Sequence, residues 1–244
     1  IHAMVRFSEK GTFFIDPFTN NDIRYGKIYW AANYWREHEF SCQTDTDQHS
    51  GHLPKNQFNE NHKTLNNFDG FLRKYRLAVA ATGEYTVFHG GSVADGLAAV
   101  VVCMDRANDI SEVDLGVTYE LIPDNDDIIF TSPFSDPYYD YDFESMLDAN
   151  EVTLDLYIGV NNYDIGHVFS RGSGGLAWLQ GACNEEKARG ASGLWQPIND
   201  QFYIEYVCHE LGHQLGGTHT FNNDCNGNST PGASMEVGSG TTIL

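Results

Sequence analysis

His209-Glu210-Leu211-Gly212-His213-Gln214-Leu215-Gly216-Gly217-Thr218-His219 is the stretch that decides how this chain is read. His209 and His213 stand four residues apart, so on a helix both imidazoles project from one face. Two such nitrogens can share a tetrahedral zinc ion at about 2.0–2.1 Å. Glycine tolerates positive φ, so Gly216 lets the chain leave the helix sharply, and His219 then returns with a third nitrogen. Three protein ligands leave the fourth position to water, which marks a catalytic rather than a structural site. Glu210 reaches that water without binding the metal. It is expected to take the proton of the zinc-activated water as general base and hand it to the departing amine as general acid. A surface helix with solvated histidines is the competing reading. It is disfavoured because the helix signals and the glycine turn coincide with the motif.

Working outward, Asp200 to Gly216 reads as one continuous helix closed by Gly216-Gly217. Tyr75 to Ala81 is a strand-type run that Glu84 to His89 continues, and Val93 to Ala107 is apolar at helical spacing behind Ser92 as a cap. Val117 to Ile122, Ile128 to Phe130, His167 to Ser170 and Leu176 to Leu179 read as strands, and Asn150 to Gly159 as a helix. Strands alternating with helices predict α/β layering. Near the N-terminus, Gly11 to Ile15 and Tyr25 to Trp30 form a small β element, with turns expected at Asp16-Pro17 and Thr19 to Asp22.

Composition narrows the function. The 34 acidic and 14 basic residues leave a net charge of -20, which repels phosphate backbones and argues against a nucleic-acid partner. No run of 18 apolar residues occurs, so no membrane span is expected. The five cysteines contain no C-x-x-C pair, which excludes a thiolate zinc ribbon. The chain opens on Ile1 without a signal segment. It reads as a fragment or processed product, with a secretion signal expected upstream.

The extended pattern H-E-x-x-H-x-x-G-x-x-H is the metzincin signature. Tyr75 to Thr86, Tyr163 to Phe169 and Gly174 to Ala177 narrow the resemblance to the bacterial reprolysin-like (adamalysin-type) metallopeptidases. The likeness covers about residues 70 to 244, and residues 1 to 45 resemble the end of a propeptide-like region. The domain reading is therefore a propeptide-like β remnant at 1–45, a linker at 46–70 and a catalytic domain at 71–244. What the resemblance implies is a secreted, monomeric zinc endopeptidase acting on proteins and peptides, with a twisted mixed sheet above a zinc-helix floor. Its substrate would lie along an edge strand, matched here by Gly175, Leu176, Ala177 and Trp178; for Trp178 and Leu179 a simple core role competes. A proteolytically silent zinc module and a hydrolase of non-peptide amides are the rival functions. Retention of Glu210 argues against the first, and the peptide-binding edge against the second.

The resemblance also implies a methionine turn beneath the metal. Gly238 to Ile243 match the approach to it, placing Leu244 where methionine is expected; Met235 fits by distance alone. Leucine fills a similar volume. A structural Ca²⁺ held by an early glutamate is implied as well, with Glu84, Asp114 and Asp224 as candidates. Cys42 precedes the catalytic region. Its thiolate could bind the zinc and keep the protease latent; an ordinary thiol or a disulfide is the alternative. Cys183 and Cys225 are the expected disulfide formers, and Cys103 and Cys208 are expected in the core. His167 is expected to be a satisfied structural histidine. His38, His49, His52 and His62 show no ligand spacing, and Asp124 to Asp127 reads as a solvated loop.

Overall fold

A run of five buried residues, Leu77-Ala78-Val79-Ala80-Ala81, ends the strand β4 (Arg73–Ala81) around which the catalytic region is built. Continuous apolarity is the mark of a strand covered on both faces. β4 pairs in parallel with β5 (Val117–Leu121) on one side and β6 (Ile165–Ser170) on the other. β6 continues in parallel to β8 (Gly190–Gly193), and β7 (Gly174–Ala177) closes the sheet antiparallel to β8. The order is β5-β4-β6-β8-β7, a mixed five-stranded sheet that leaves β7 at the edge. The computed structural model describes residues 3–7, 11–19, 22–30, 33, 41–44, 70–222, 229–230, 232–237 and 242–244. Asp224, Cys225, the four N-terminal-half histidines His38, His49, His52 and His62, and nearly all of the expected linker at 46–70 lie outside them.

The chain divides into two compact units, Ile1–Glu39 and Phe40–Leu244. In the first, β1 (Ala3–Phe7), β2 (Gly11–Thr19) and β3 (Asp22–Trp30) form an antiparallel meander, with Phe13 opposite Trp30 and their rings 5.3 Å apart. The turn expected at Asp16-Pro17 is instead the interior of β2. The register shifts between Pro17 and Thr19, the kind of irregularity that accommodates a residue without an N–H.

In the second unit, side chains alternate across the sheet. Ala78, Ala80 and Val168 face a core built with Phe143, Met146, Leu147 and Leu154 of α3 (Phe143–Tyr157). On the other side Phe169 lies 5.7 Å from Tyr85 and 5.3 Å from Phe202. The stretch expected to prolong the first strand is a helix, α1 (Gly83–His89), because the Thr82 hydroxyl accepts from the Tyr85 amide and caps it. α2 (Val93–Asp114) runs seven residues past its expected end and starts on a capping box between Ser92 and Asp95. α3 starts seven residues before its expected beginning, capped by Asp142.

The acidic loop read as solvated is a short 3-10 helix, Asn125–Ile128, with Asn125 buried. The Asn125 amide accepts from Val79 N at 2.8 Å and donates to Val79 O at 2.9 Å. A side chain thereby satisfies both polar groups of a strand residue. Ile128 to Phe130 accordingly contributes only the isolated bridge Ala81↔Ile129.

The expected calcium set does not assemble among the described residues. Asp114 is exposed at the end of α2, about 27 Å along the helix axis from Gly96, which packs on Thr86 of α1. Glu84 neighbours Asp136 and Asp140 instead. Asp140 is 3% exposed and accepts from Arg171 N at 2.7 Å. Burial pushes its carboxyl up to about 6. The protonated form is favoured in the fold, so this group stabilises most below the unfolded carboxylate range near 3.9, and that contribution is lost as pH rises towards 6. Asp140→Asn is therefore expected to gain stability relative to the parent between pH 4 and 6, by about 3 kcal/mol at most, and to hold a constant difference above. Paired urea titrations across that range measure it.

One buried ion pair ties the two long helical segments together. Arg106 of α2 donates from Nε to Asp200 Oδ1 at 2.8 Å and from a terminal nitrogen to Oδ2 at 2.9 Å, the side chains being 5% and 2% exposed. Asp200 immediately precedes the helical stretch that carries the histidines. Arg106→Met would leave the Asp200 charge buried without its guanidinium, at an expected cost of about 3–5 kcal/mol. A lowered urea midpoint is the measurement.

Candidate metal centre and cleft

The single helix expected over Asp200 to Gly216 is two segments. A π-helix, Gln201–Cys208, passes into α4 (His209–Gln214), and all six residues of α4 are buried. Such wide turns concentrate at functional sites. Gly216 then takes φ 102°, the left-handed turn that sends the chain back towards His209 and His213.

Three buried imidazoles meet beside α4. His209 Nε2 lies 3.0 Å from His213 Nε2 and 3.3 Å from His219 Nε2. The far nitrogens of two rings face backbone carbonyls: His209 Nδ1 sits 2.5 Å from Ile243 O, and His213 Nδ1 sits 2.8 Å from Gly217 O. A carbonyl only accepts, so these rings carry their proton on Nδ1 and turn the Nε2 lone pair inward. Burial lowers the His209 imidazole to about 4, and burial together with the neighbouring imidazoles holds that of His213 well below its ordinary range, so both rings are neutral near pH 7. Neutral nitrogen lone pairs aimed at one another repel unless a cation lies between them. Four tetrahedral positions at zinc–nitrogen distances of 2.0–2.1 Å stand about 3.4 Å apart, close to the spacing found. The donor set therefore fits a zinc ion.

Ile243 and Leu244 pack beneath α4. Ile243 supplies the carbonyl to His209. The Leu244 side chain lies where a Cβ on Gly212 would come within 3.0 Å of it and one on Gly217 within 2.4 Å. Met235, by contrast, is 79% exposed. Leu244 thus lies under α4, where the family resemblance places it.

Glu210 is fully buried, and its Oε2 accepts from Thr44 Oγ1 at 3.3 Å. Burial pushes its carboxyl up to about 8, against hydrogen bonds from Cys42 and Thr44 that pull it down. Beside it runs the edge strand. A Cβ on Gly175 would stand 2.2 Å from Glu210 Oε1, so only glycine lets β7 approach this closely.

Of the four residues expected to bind substrate, Gly175 and Ala177 present backbone polar groups to a neighbouring segment, residues 41–44. The Leu176 side chain points into the core. Trp178 lies beyond β7; its amide bonds to Arg189 O, and the Arg189 guanidinium sits 5.1 Å from its ring centroid. Trp178 is only partly buried and is not a core residue, whereas Leu179 is buried, as the competing reading expected.

Cys42 comes into the centre. Its Sγ lies 3.5 Å from His213 Nε2, and ligand atoms of Cys42, His209, His213 and His219 all fall within 4.8 Å of one another. Cys103 is buried, as expected, while Cys208 is only partly so; Cys183 is an exposed free thiol rather than half of a disulfide.

A second layer escaped the sequence reading. Gln214, next to His213, accepts from His167 Nδ1 at 2.9 Å and donates to Gly166 O at 2.9 Å, while His167 Nε2 meets Ser192 Oγ at 3.0 Å. His167 is the satisfied structural histidine expected, held neutral by burial with its pKa near 4. The network bolts α4 to β6 and β8. A buried glutamine directly after a metal-ligand position is the only local signal for it.

The chain matches the family described as Metallo-peptidase family M12B Reprolysin-like over residues 72–244. It belongs to that family of metallopeptidases. Among solved structures, a crystal structure of myroilysin is similar at 12% identity with a TM-score of 0.32, over 63% of this chain and 47% of that one. The chain thus spans just under half the length of that protein. No curated protein matches it. Among the described residues no single helix is long and apolar enough to cross a membrane.

Gly175→Ala tests the close approach of strand and carboxylate. The added methyl must displace Glu210 or move β7, and overpacking of this kind costs about 1–3 kcal/mol. A urea midpoint lowered accordingly is the expected outcome.

Proposed function

We propose that this chain is a zinc-dependent endopeptidase whose cleft is held latent by its own residues 41–44. The observation that carries the reading is the convergence of three buried imidazoles, two of them neutral with their Nε2 lone pairs turned inward, beside a buried carboxylate and a strand edge able to pair with an extended chain. His209, His213 and His219 would hold the zinc ion. Zinc supplies Lewis acidity, which acidifies water and polarises a carbonyl. Glu210, lacking any place in the ligand set, takes up a proton at its carboxylate and returns it to the leaving amine. A carboxyl poised near neutral pH suits both halves of that task.

The backbone N–H and C=O groups of Gly175 and Ala177 would bind the substrate by strand addition, which selects extended polypeptide over small amides. The latent state is favoured by one specific contact, the Cys42 sulfur beside His213. A thiolate is a good zinc ligand, and in that position it would fill the place that water needs. A silent zinc module is less well supported, because a purely structural site has no use for Glu210.

Zinc content by elemental analysis and cleavage of casein, measured on the parent, Cys42→Ala and Glu210→Ala, test this together. About one zinc per folded chain is expected in all three. Cleavage by Cys42→Ala should exceed that of the parent, and Glu210→Ala should show none. A folded chain without zinc overturns the mechanism. Zinc retained with no cleavage by Cys42→Ala returns the silent module to favour.

A further inference from the structure

The segment at residues 41–44 engages the cleft at two chemically separate points, and only one involves the metal donors. Along the edge of β7, Gly175 N donates to Ser41 O at 3.2 Å and Gln43 N donates to Gly175 O at 2.9 Å. Two residues further on, backbone pairing gives way to a side chain. Ala177 N donates to Thr44 Oγ1 at 2.9 Å, while Ala177 O lies 3.2 Å from the same hydroxyl and Glu210 Oε2 lies 3.3 Å from it. A hydroxyl has two lone pairs and one proton. It therefore accepts from Ala177 and gives its proton to either Ala177 O or the Glu210 carboxylate. Thr44 is 2% exposed, so water does not compete for these groups.

We propose that Thr44 is a second inhibitory latch, independent of the metal, which occupies the strand edge at Ala177 and caps Glu210 with one hydroxyl. The inference rests on the endopeptidase reading above and extends its regulation. Cys42 acts on the metal position and also reaches Glu210. Thr44 touches none of the metal donors and acts on Glu210 and on the polar groups that a substrate would use. Severing the thiol contact alone then leaves the cleft partly closed, and full activity requires the whole segment to leave β7. The chemistry demands a hydroxyl at this position. Serine keeps both hydrogen-bonding roles; valine, of equal shape, keeps neither.

The test uses the full zinc-loaded chain in a Cys42→Ala background, adding Thr44→Val or Thr44→Ser. Loss of one buried intramolecular hydrogen bond is worth up to about a tenfold change. Thr44→Val is expected to raise casein cleavage about tenfold over Cys42→Ala and to speed amide hydrogen exchange in the 174–179 segment by a similar factor. Thr44→Ser should match the Cys42→Ala parent in both. Unchanged exchange and unchanged cleavage in the valine variant would sink the latch while leaving the peptidase reading intact. Cleavage that survives when Glu210→Ala is added would instead remove the role given to Glu210, and faster exchange in the valine variant would still support the strand-edge half of the latch.

Discussion

Three imidazole lone pairs held within about one atomic diameter of each other are an electrostatic problem that the rest of this fold exists to maintain. Each ring is buried, two are locked by carbonyls at Nδ1, and burial keeps His209 and His213 uncharged. Left to themselves the rings would rotate apart or take up protons. The fold denies both, and the space left between them suits a divalent cation.

Rigidity of that order is assembled from contacts remote in sequence. Arg106 and Asp200 lock α2 to the start of the helical stretch that delivers the histidines. Gln214 and His167 fasten its far end to the sheet. Ile243 and Leu244 close it from below. The metal helix is thus braced at its beginning, its end and its underside. Buried polar groups satisfied in this way specify one arrangement, at the expense of tolerating few substitutions.

Closeness of approach is the second theme. β7 lies against Glu210 because Gly175 has no side chain, and the same edge is taken up by residues 41–44. An exposed strand edge is a general liability, since it pairs with any extended chain. Here that property serves both the proposed inhibition and the proposed substrate binding, because the segment and a substrate would need the same backbone groups.

The clustering of the three histidines and the neighbouring carboxylate is legible in the chain because their spacing is local. A four-residue helical spacing and one glycine turn are enough to bring His209, His213 and His219 together, and the continuous apolar run at Leu77 to Ala81 announces a doubly covered strand. The helix at Gly83–His89 was not legible, because short apolar runs suit strand and helix equally and the Thr82 cap decides between them. Asn125, Arg106 with Asp200, Gln214 with His167, and Thr44 with Glu210 were invisible for a different reason. Each is an ordinary polar residue whose partner lies tens of residues or more away, and only tertiary packing removes the water that would otherwise satisfy it. The amino-acid sequence by itself determined the chemistry available to this protein. Which carboxylate is buried, which strand edge is covered and which sulfur meets the histidines were decided by the folded structure, because burial and long-range proximity are properties of the packed chain and not of any local run of residues.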